Sequence, residues 1–550
     1  MDSRRIRLRA AVTLVLTASL LLSCCGLALA GEAADDPKTS EDRSGGGSAR
    51  YSGSYAESLF DSSRVHTIDI RTSRWEWLKN HALEETYIPC QVEVDGTLVR
   101  NVGIRAKGNT SLATVALMDT ERFSLKIEFD KFIRGQLYQG LDMLNLNNLM
   151  QDATLMKEMI SFEMMRRMGV SAPLCSYVRV SVNGSPLGLY LGVEGIDTSF
   201  LNRVGWFTGR IYKPDVNINA LNSGTLPMLG SPAGEPDMAG IFEGGLLDAN
   251  AIAFGRVENV MGFGDDLKLK YLGESPRLYP NLIYQTRSRL GRADITRLIH
   301  ALRNLSSGEH REEAVDPDEI MRFLAVHSFL GNDDSYTGQM PHNYYLCEEA
   351  GRLHMIPWDY NLAFGGMVER EMAQELINAS IDALVTGEDP AERPLIGWIA
   401  ENEESREDYH AVWRRMMAEV VDSGWLEEKI RQIREMILPE AREDPTRFFD
   451  MERIEQAQET LARYCLARAE SVHRQLDGME ETVDAEDISL YIMGGIMETQ
   501  AQMQTRTMEF LELTHPLPTN PTDLLMIAGL CVLLLGAGIA LVLLCRDHNG

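Results

Sequence analysis

The feature that most restricts the fold of this chain is a change of hydrophobic period near residue 198. Before it, apolar and polar residues alternate in VHTIDI (65–70), QVEV (91–94), TLVRNVGIRAKG (97–108), RFSLKIEFD (122–130), YVRVSV (177–182) and SPLGLYLGVE (185–194). A period of two places one apolar face on a sheet. Asp95-Gly96 and Asn183-Gly184 sit between such runs as two-residue hairpin turns. QDATLMKEMISFEMMRRMG (151–169) reads as a helix, with Asp152 as its cap and Gly169 as its stop. After residue 198 the spacing becomes helical, in 295–305, 319–331, 409–421, 426–437 and 454–476. The pattern predicts an α+β chain: a β-rich N-lobe over 59–197 and a mainly helical C-lobe over 198–478, with an irregular Gly- and Asn/Asp-rich insertion at 215–270.

The flanks read differently. MDSRRIRLR followed by AAVTLVLTASLLLS is a basic stretch and an apolar stretch, so 1–30 reads as a signal peptide or signal anchor. Ala28-Leu29-Ala30 offers a cleavage site, and LLSC ending at Cys24 loosely resembles a lipoprotein box. Residues 31–58 are a polar Gly/Ser-rich linker, and 479–523 read as a stalk. LLMIAGLCVLLLGAGIALVLLC (524–545) is 22 uncharged residues, the length of one transmembrane helix. Arg546 places the tail 546–550 in the cytoplasm and the bulk of the chain outside it, as a single-pass membrane protein. The formal charge of -28 and the absence of a basic run exclude a nucleic-acid partner. Outside the apolar ends only Cys90, Cys175, Cys347 and Cys465 remain, with no CxxC, so neither a disulfide framework nor a zinc site is expected.

Three groups carry chemistry. In NVGIRAKGNTS (101–111), Arg105 and Lys107 precede Gly108, Asn109, Thr110 and Ser111; small residues bare their N–H groups and the cations add charge, as a phosphate cradle needs. Lys126 lies in the strand FSLKIEF, and the helical stripe Leu155, Met156, Met159, Ile160 steps on to Glu163. That spacing predicts a buried Lys126–Glu163 pair, with Glu158 solvated; the pair serves either a site or the fold alone. The third group is GNDDSYTGQMPHNYYL (331–346) with HMIPWDYNLAFGG (354–366). It offers Asp333 or Asp334, then Asn343, then Asp359, each beside a turn or strand end. A carboxylate that orients a hydroxyl, with an Asn and an Asp as hard oxygen ligands for Mg²⁺, is the division of labour of kinase phosphoryl transfer. Gly365-Gly366 then gives the following loop its freedom.

As an ordered set, VGIRAKGNTS, RFSLKIEFDKF, NLNNLMQDATLMKEMISFEMMRRMGVSAP, VNGSPLGLYLGVEGID, IYKP, GNDDSYTGQMPHNYYL and HMIPWDYNLAFGG resemble the spore coat protein H (CotH) kinase family. The resemblance spans roughly residues 60–370. It implies a two-lobed atypical protein-kinase-like fold, ATP with Mg²⁺ or Mn²⁺ as cofactors, and transfer of phosphate to hydroxyls of a protein substrate. It also implies roles: Asp334 (or Asp333) as catalytic acid/base, Asn343 and Asp359 on the metal, and Lys126 on the phosphates, oriented by Glu163. Arg105 and Lys107 would lie over the phosphates, and Glu194 would sit at the hinge beside the base. GxGxxG and HRD motifs are absent, and nine residues separate Asp334 from Asn343, against about five in the usual catalytic loop. A pseudokinase-like surface scaffold, binding a partner or nucleotide without transfer, is the alternative.

Overall fold

The computed structural model describes residues 54–108, 110–118, 120–215, 264–283, 286, 288–339, 341–367 and 372–496. The signal-like segment 1–30, most of the 31–58 linker, Asn109, most of the insertion, the end of the stalk, the apolar segment 524–545 and the tail lie outside the described residues. Among the described residues no helix is long and apolar enough to cross a membrane. Residues 54–215 and 265–496 belong to one compact unit.

Its N-terminal part is β-rich. Strands β1 (His66–Arg71), β2 (Ile88–Val94), β3 (Thr97–Ala106), β4 (Leu125–Glu128), β5 (Met143–Asn147), β6 (Cys175–Val182) and β7 (Ser185–Glu194) close into a barrel in the order β1-β2-β3-β4-β5-β7-β6. Every pairing is antiparallel except β1 with β6, which closes the ring. Alternate residues (Ile70, Val92, Ile104, Ile127, Leu144, Val180) fill one apolar core. Both predicted turns form with positive φ at each residue, 45° and 83° at Asp95-Gly96, 52° and 80° at Asn183-Gly184, as a right-twisted two-residue hairpin requires.

Helix α1 (Thr110–Leu117) follows β3, and α2 (Lys157–Arg167) follows β5. The helix expected from residue 153 begins four residues later. Leu155 has φ 61°, and the Asp152 carboxylate turns the chain by accepting from the N–H of Thr154 and of Lys157. Gly169 ends the helix at φ 71°, as expected. Met159 and Phe162 of α2 lie in one core with Cys175, Tyr177, Leu191 and Val193, while Val178, Val180 and Tyr190 lie in the barrel core, so β6 and β7 are covered on both faces.

The C-terminal part is helical: α3 (Arg292–Ser307), α4 (Pro317–Leu330), α5 (Glu403–Met416), α6 (Trp425–Glu443) and α7 (Met451–Leu476). Among them lies a three-stranded sheet, β8 (Arg210–Tyr212), β9 (Tyr344–Glu349) and β10 (Arg352–Pro357), in the order β10-β9-β8. Among the described residues of the whole chain, Cys90, Cys175, Cys347 and Cys465 are buried free thiols, in keeping with core roles. The barrel is clasped to the α6–α7 turn by Arg122, whose Nη1 donates to Asp444 Oδ2 at 2.6 Å, both side chains being almost wholly buried.

Three boundaries differ from the sequence expectation because short segments bury apolar side chains. Tyr55, at the end of the expected linker, is buried, and its hydroxyl donates to Glu194. Leu267 and Leu269, within the expected insertion, are fully buried. Val483, Ile488, Leu490 and Met493, within the expected stalk, also pack into the body.

Candidate phosphoryl-transfer site

Strand register gathers the polar residues. In the small sheet Tyr212 pairs with Leu346, and Pro357 with Tyr344. The end of β8, the start of β9 and the end of β10 therefore lie together, bringing Lys213, His342, Asn343 and Asp359 to one edge. On the barrel, Ala106 pairs with Leu125 and Leu125 with Leu146. Lys107 and Asn147 thus emerge from the same end, one residue beyond each pairing. Helix α2 adds Glu158 in its first turn, and α4 stops at Gly331 (φ 56°), three residues before Asp334.

These groups are joined. Lys107 Nζ donates to Asn147 Oδ1 at 2.7 Å, and Asn147 Nδ2 donates to Glu158 Oε2 at 2.7 Å. Lys107 also lies 5.6 Å from the Trp358 ring centroid. Asn343 Nδ2 donates to Asp334 Oδ2 at 2.8 Å, and His342 Nε2 lies 3.1 Å from Asp334 Oδ1. Asp359 is partly exposed and takes a left-handed conformation, φ 60° and ψ 57°, which Asp and Asn adopt more readily than other side-chain-bearing residues. Burial raises its carboxyl above the usual range; Asp334 pushes the same way, and Lys107, Lys213 and His342 oppose. Glu158 is raised by burial and then by the charge of Asp359. Burial and mutual repulsion thus disfavour the anions of Asp359 and Glu158 together.

That arrangement fits a divalent cation with phosphates. Among the described residues no three His, Cys, Asp or Glu side chains group as a self-sufficient metal site. Mg²⁺ needs no such cage, since it takes one or two carboxylates and completes its shell with phosphates and water. Asn343 spends its amide N–H on Asp334 and keeps its carbonyl oxygen for a ligand. Beside Asp334, the buried Asn332 Nδ2 and Ser335 Oγ have no hydrogen-bond partner among the described residues, so polar capacity is left at this loop.

Of the expected site residues, Asp334, Asn343, Asp359 and Lys107 come together. Asp333 does not: its Oδ1 accepts from Thr386 Oγ1 at 2.8 Å instead. Gly108, at φ 116°, makes the turn into α1; a Cβ there would clash with Ser111 Oγ, so the cradle-like turn is present, while Asn109 is outside the described residues.

Five expectations are corrected. Glu163 does not meet Lys126; it pairs with Arg166 at 2.9 Å and faces Lys429 at 3.8 Å. Glu158 is not solvated, because the first six residues of α2 are buried all round and leave no solvent face. Arg105 is not over the site: its Nη1 forms a buried pair with Glu85 at 2.8 Å, and its guanidinium lies 5.4 Å from the Tyr87 ring centroid. The Glu194 carboxylate is unavailable to a nucleotide base, being consumed by Tyr55 Oη, Leu174 N–H and Arg203. Lys126, buried on β4 opposite Arg105 and Asn145, keeps its strand position without the expected partner. Gly365-Gly366 is also pinned rather than free, through Gly365 N–H to Gly331 O and Gly366 O to Ile496 N–H.

Glu158, Asn147, His342 and Lys213 were missed. Asn147 had a visible signal, since Asn145 and Asn147 place two amides on one face of an otherwise apolar strand. His342 directly precedes Asn343, and Lys213 lies in IYKP, where a cation follows a strand.

The curated inner spore coat protein H of Bacillus subtilis (strain 168) is 22% identical over 354 residues, covering 63% of this chain and 82% of that protein. The model of the family described as CotH kinase protein matches residues 104–472, from the last residues of β3 to near the end of α7, and so takes in every residue of the cluster. The chain belongs to the CotH kinase protein family.

Proposed function

We propose that this chain is a CotH-like protein kinase that transfers the ATP γ-phosphate to a protein hydroxyl, with Mg²⁺ or Mn²⁺, on a two-lobed kinase-like scaffold. The observation that carries the reading is the convergence of Asp334, Asn343 and Asp359 with the Lys107–Asn147–Glu158 chain. Asp359 and the Asn343 carbonyl would hold the metal, which supplies charge neutralisation between phosphate oxygens when bound. Lys107 is the cation poised for the phosphates, and Glu158 fixes it through Asn147. Asp334, held by Asn343 and His342, would orient the acceptor hydroxyl and take its proton. The apolar segments at both ends would put this domain at the cell surface, with a membrane as its anchor.

Asp334→Asn separates binding from transfer. Transfer from ATP should fall by about 10²- to 10⁴-fold, while calorimetry still detects Mg²⁺-dependent ATP binding. Loss of both together would show that Asp334 is a binding group and would overturn its assignment. Glu158→Gln and Glu163→Gln give a second contrast. Glu163 serves only a partly buried ion pair, so its change should leave turnover within about twofold and cost at most about 1 kcal/mol. Glu158→Gln should lower turnover by at least about tenfold through Lys107. Equal activity of the two variants would remove Glu158 from the site.

A further inference from the structure

We propose that residues 490–496 are a positioning strap that holds two of the three carriers of site carboxylates, the start of α2 and the loop after β10, against one another. The proposal rests on the kinase reading above for what the positioning serves. The strap lies beyond the family match, which ends at residue 472. It bonds to both carriers within four residues. Met493 O accepts from Ala153 N–H at 3.0 Å, and Gly494 O accepts from the wholly buried Lys157 Nζ at 2.8 Å. Ile496 N–H donates to Gly366 O at 2.9 Å. Lys157 directly precedes Glu158, and Gly366 closes the loop opened by Asp359. Asn361 Nδ2 bonds Gln151 Oε1 at 2.7 Å, so the carriers also touch beneath the strap.

The strap is itself anchored. Arg453 on α7 donates to Ile492 O at 3.2 Å and Tyr491 O at 3.0 Å, with its guanidinium 4.9 Å from the Phe449 ring centroid. Met493 is fully buried. The glycines have a steric reason: a Cβ on Gly494 would crowd Gln151 O, and one on Gly495 would strike Gly366 O. The buried Lys157 ammonium faces the Asp152 carboxylate and donates to Gly494 O, and a buried charge is costly unless its partners persist, so Lys157 ties the strap to the start of α2. Lys157 and Gly495 are thus positioning residues: neither is placed to touch substrate, and each sets where Glu158 and Asp359 stand.

The test uses the full chain with Gly495→Ala, and with Lys157→Met as a second variant. ADP release is measured against Mg²⁺ concentration, and amide exchange by mass spectrometry. The strap account predicts that Gly495→Ala raises the half-saturating Mg²⁺ concentration about tenfold, with activity regained at saturating Mg²⁺, because a loosened Asp359 loop is reassembled by its metal. A merely structural defect would not be rescued by metal. Exchange should accelerate in 152–158 and 359–366 as well as in 490–496. An unchanged Mg²⁺ requirement, or acceleration confined to 490–496, would overturn the strap. If Lys157→Met does not fold, Gly495→Ala alone decides. Should the unaltered chain release no ADP, the kinase reading fails, and the exchange pattern still decides whether the strap couples the two carriers.

Discussion

Asp359→Asn is expected to lower metal-dependent phosphoryl transfer on the order of 10³-fold, the scale on which one charge-positioning group acts in such sites. The fold should survive. Asn is among the few side-chain-bearing residues that accept the left-handed conformation held here at φ 60°, so the exchange removes charge and leaves the backbone in place. Stability should move the other way from activity. In the metal-free chain, burial and the neighbouring Asp334 disfavour the Asp359 anion, and Asp359 in turn disfavours the Glu158 anion. Deleting one charge of this set relieves the others, so the unliganded melting midpoint should be unchanged or higher. Calorimetric scans and transfer assays on the same preparation check both signs. A variant that loses activity and also melts well below the parent would mean that Asp359 serves the fold rather than the metal.

Asp444→Ala is expected to have the largest effect on stability, a loss of about 3–5 kcal/mol, because it strands a buried guanidinium. Arg122 reaches Asp444 Oδ2, Asn148 O and Leu189 O, and its guanidinium lies 5.3 Å from the Tyr190 ring centroid and 5.2 Å from that of Phe448. The Asp444 carboxylate also accepts from Leu189 N–H at 2.9 Å and Thr446 N–H at 2.8 Å. Removing it breaks the clasp between barrel and helices at its most buried point. The double variant Arg122→Met, Asp444→Leu should recover part of the loss, since neither charge is then buried alone. Denaturant titration of the parent and both variants gives the answer, and a single-variant loss below about 1 kcal/mol would contradict the role. The pH dependence has a fixed sign. Burial opposes ionisation of Asp444, but the Arg122 charge and the backbone N–H donors outweigh it, so its carboxyl titrates below the usual range. A depressed folded value stabilises above the ordinary carboxylate pKa, and the contribution is lost as pH falls through the folded one. The parent should therefore show an acid-induced loss of stability that Asp444→Ala lacks.

What was legible in the sequence follows a physical line. Asp334, Asn343, Asp359 and Lys107 sit just past a helix end, a turn or a strand end, where composition marks a polar residue exposed by a rigid element. The hairpin turns and the long helices were legible for the same local reason. Glu158 was assigned to solvent because a one-face stripe presumes a solvent face, and α2 has none over its first half, with the barrel on one side and helices on the other. Glu194 looked like a hinge acid because no local pattern shows what it meets; of its partners, Tyr55 is 139 residues away in sequence and Arg203 lies on the far side of a turn. Arg105 was read with Lys107 as one cationic pair because i and i+2 share a strand face, yet β3 ends at Ala106, Arg105 is taken up by Glu85, and only Lys107, past the strand end, reaches the site. The packing of 483–496 was hidden by their polar neighbours, although Leu490 and Met493 bury as fully as any core residue.

The most direct test is transfer of label from γ-labelled ATP by the full chain, with Mg²⁺ or Mn²⁺, to itself and to an added acidic protein, beside Asp359→Asn and Asp334→Asn. The account predicts label on protein with the unaltered chain and its loss in both variants. Metal-dependent ATP binding should persist in Asp334→Asn and vanish in Asp359→Asn. ATP binding by the unaltered chain without any transfer, under conditions where the fold is intact, would contradict the kinase and leave a nucleotide-binding scaffold. Label that persists undiminished in both variants would contradict the site.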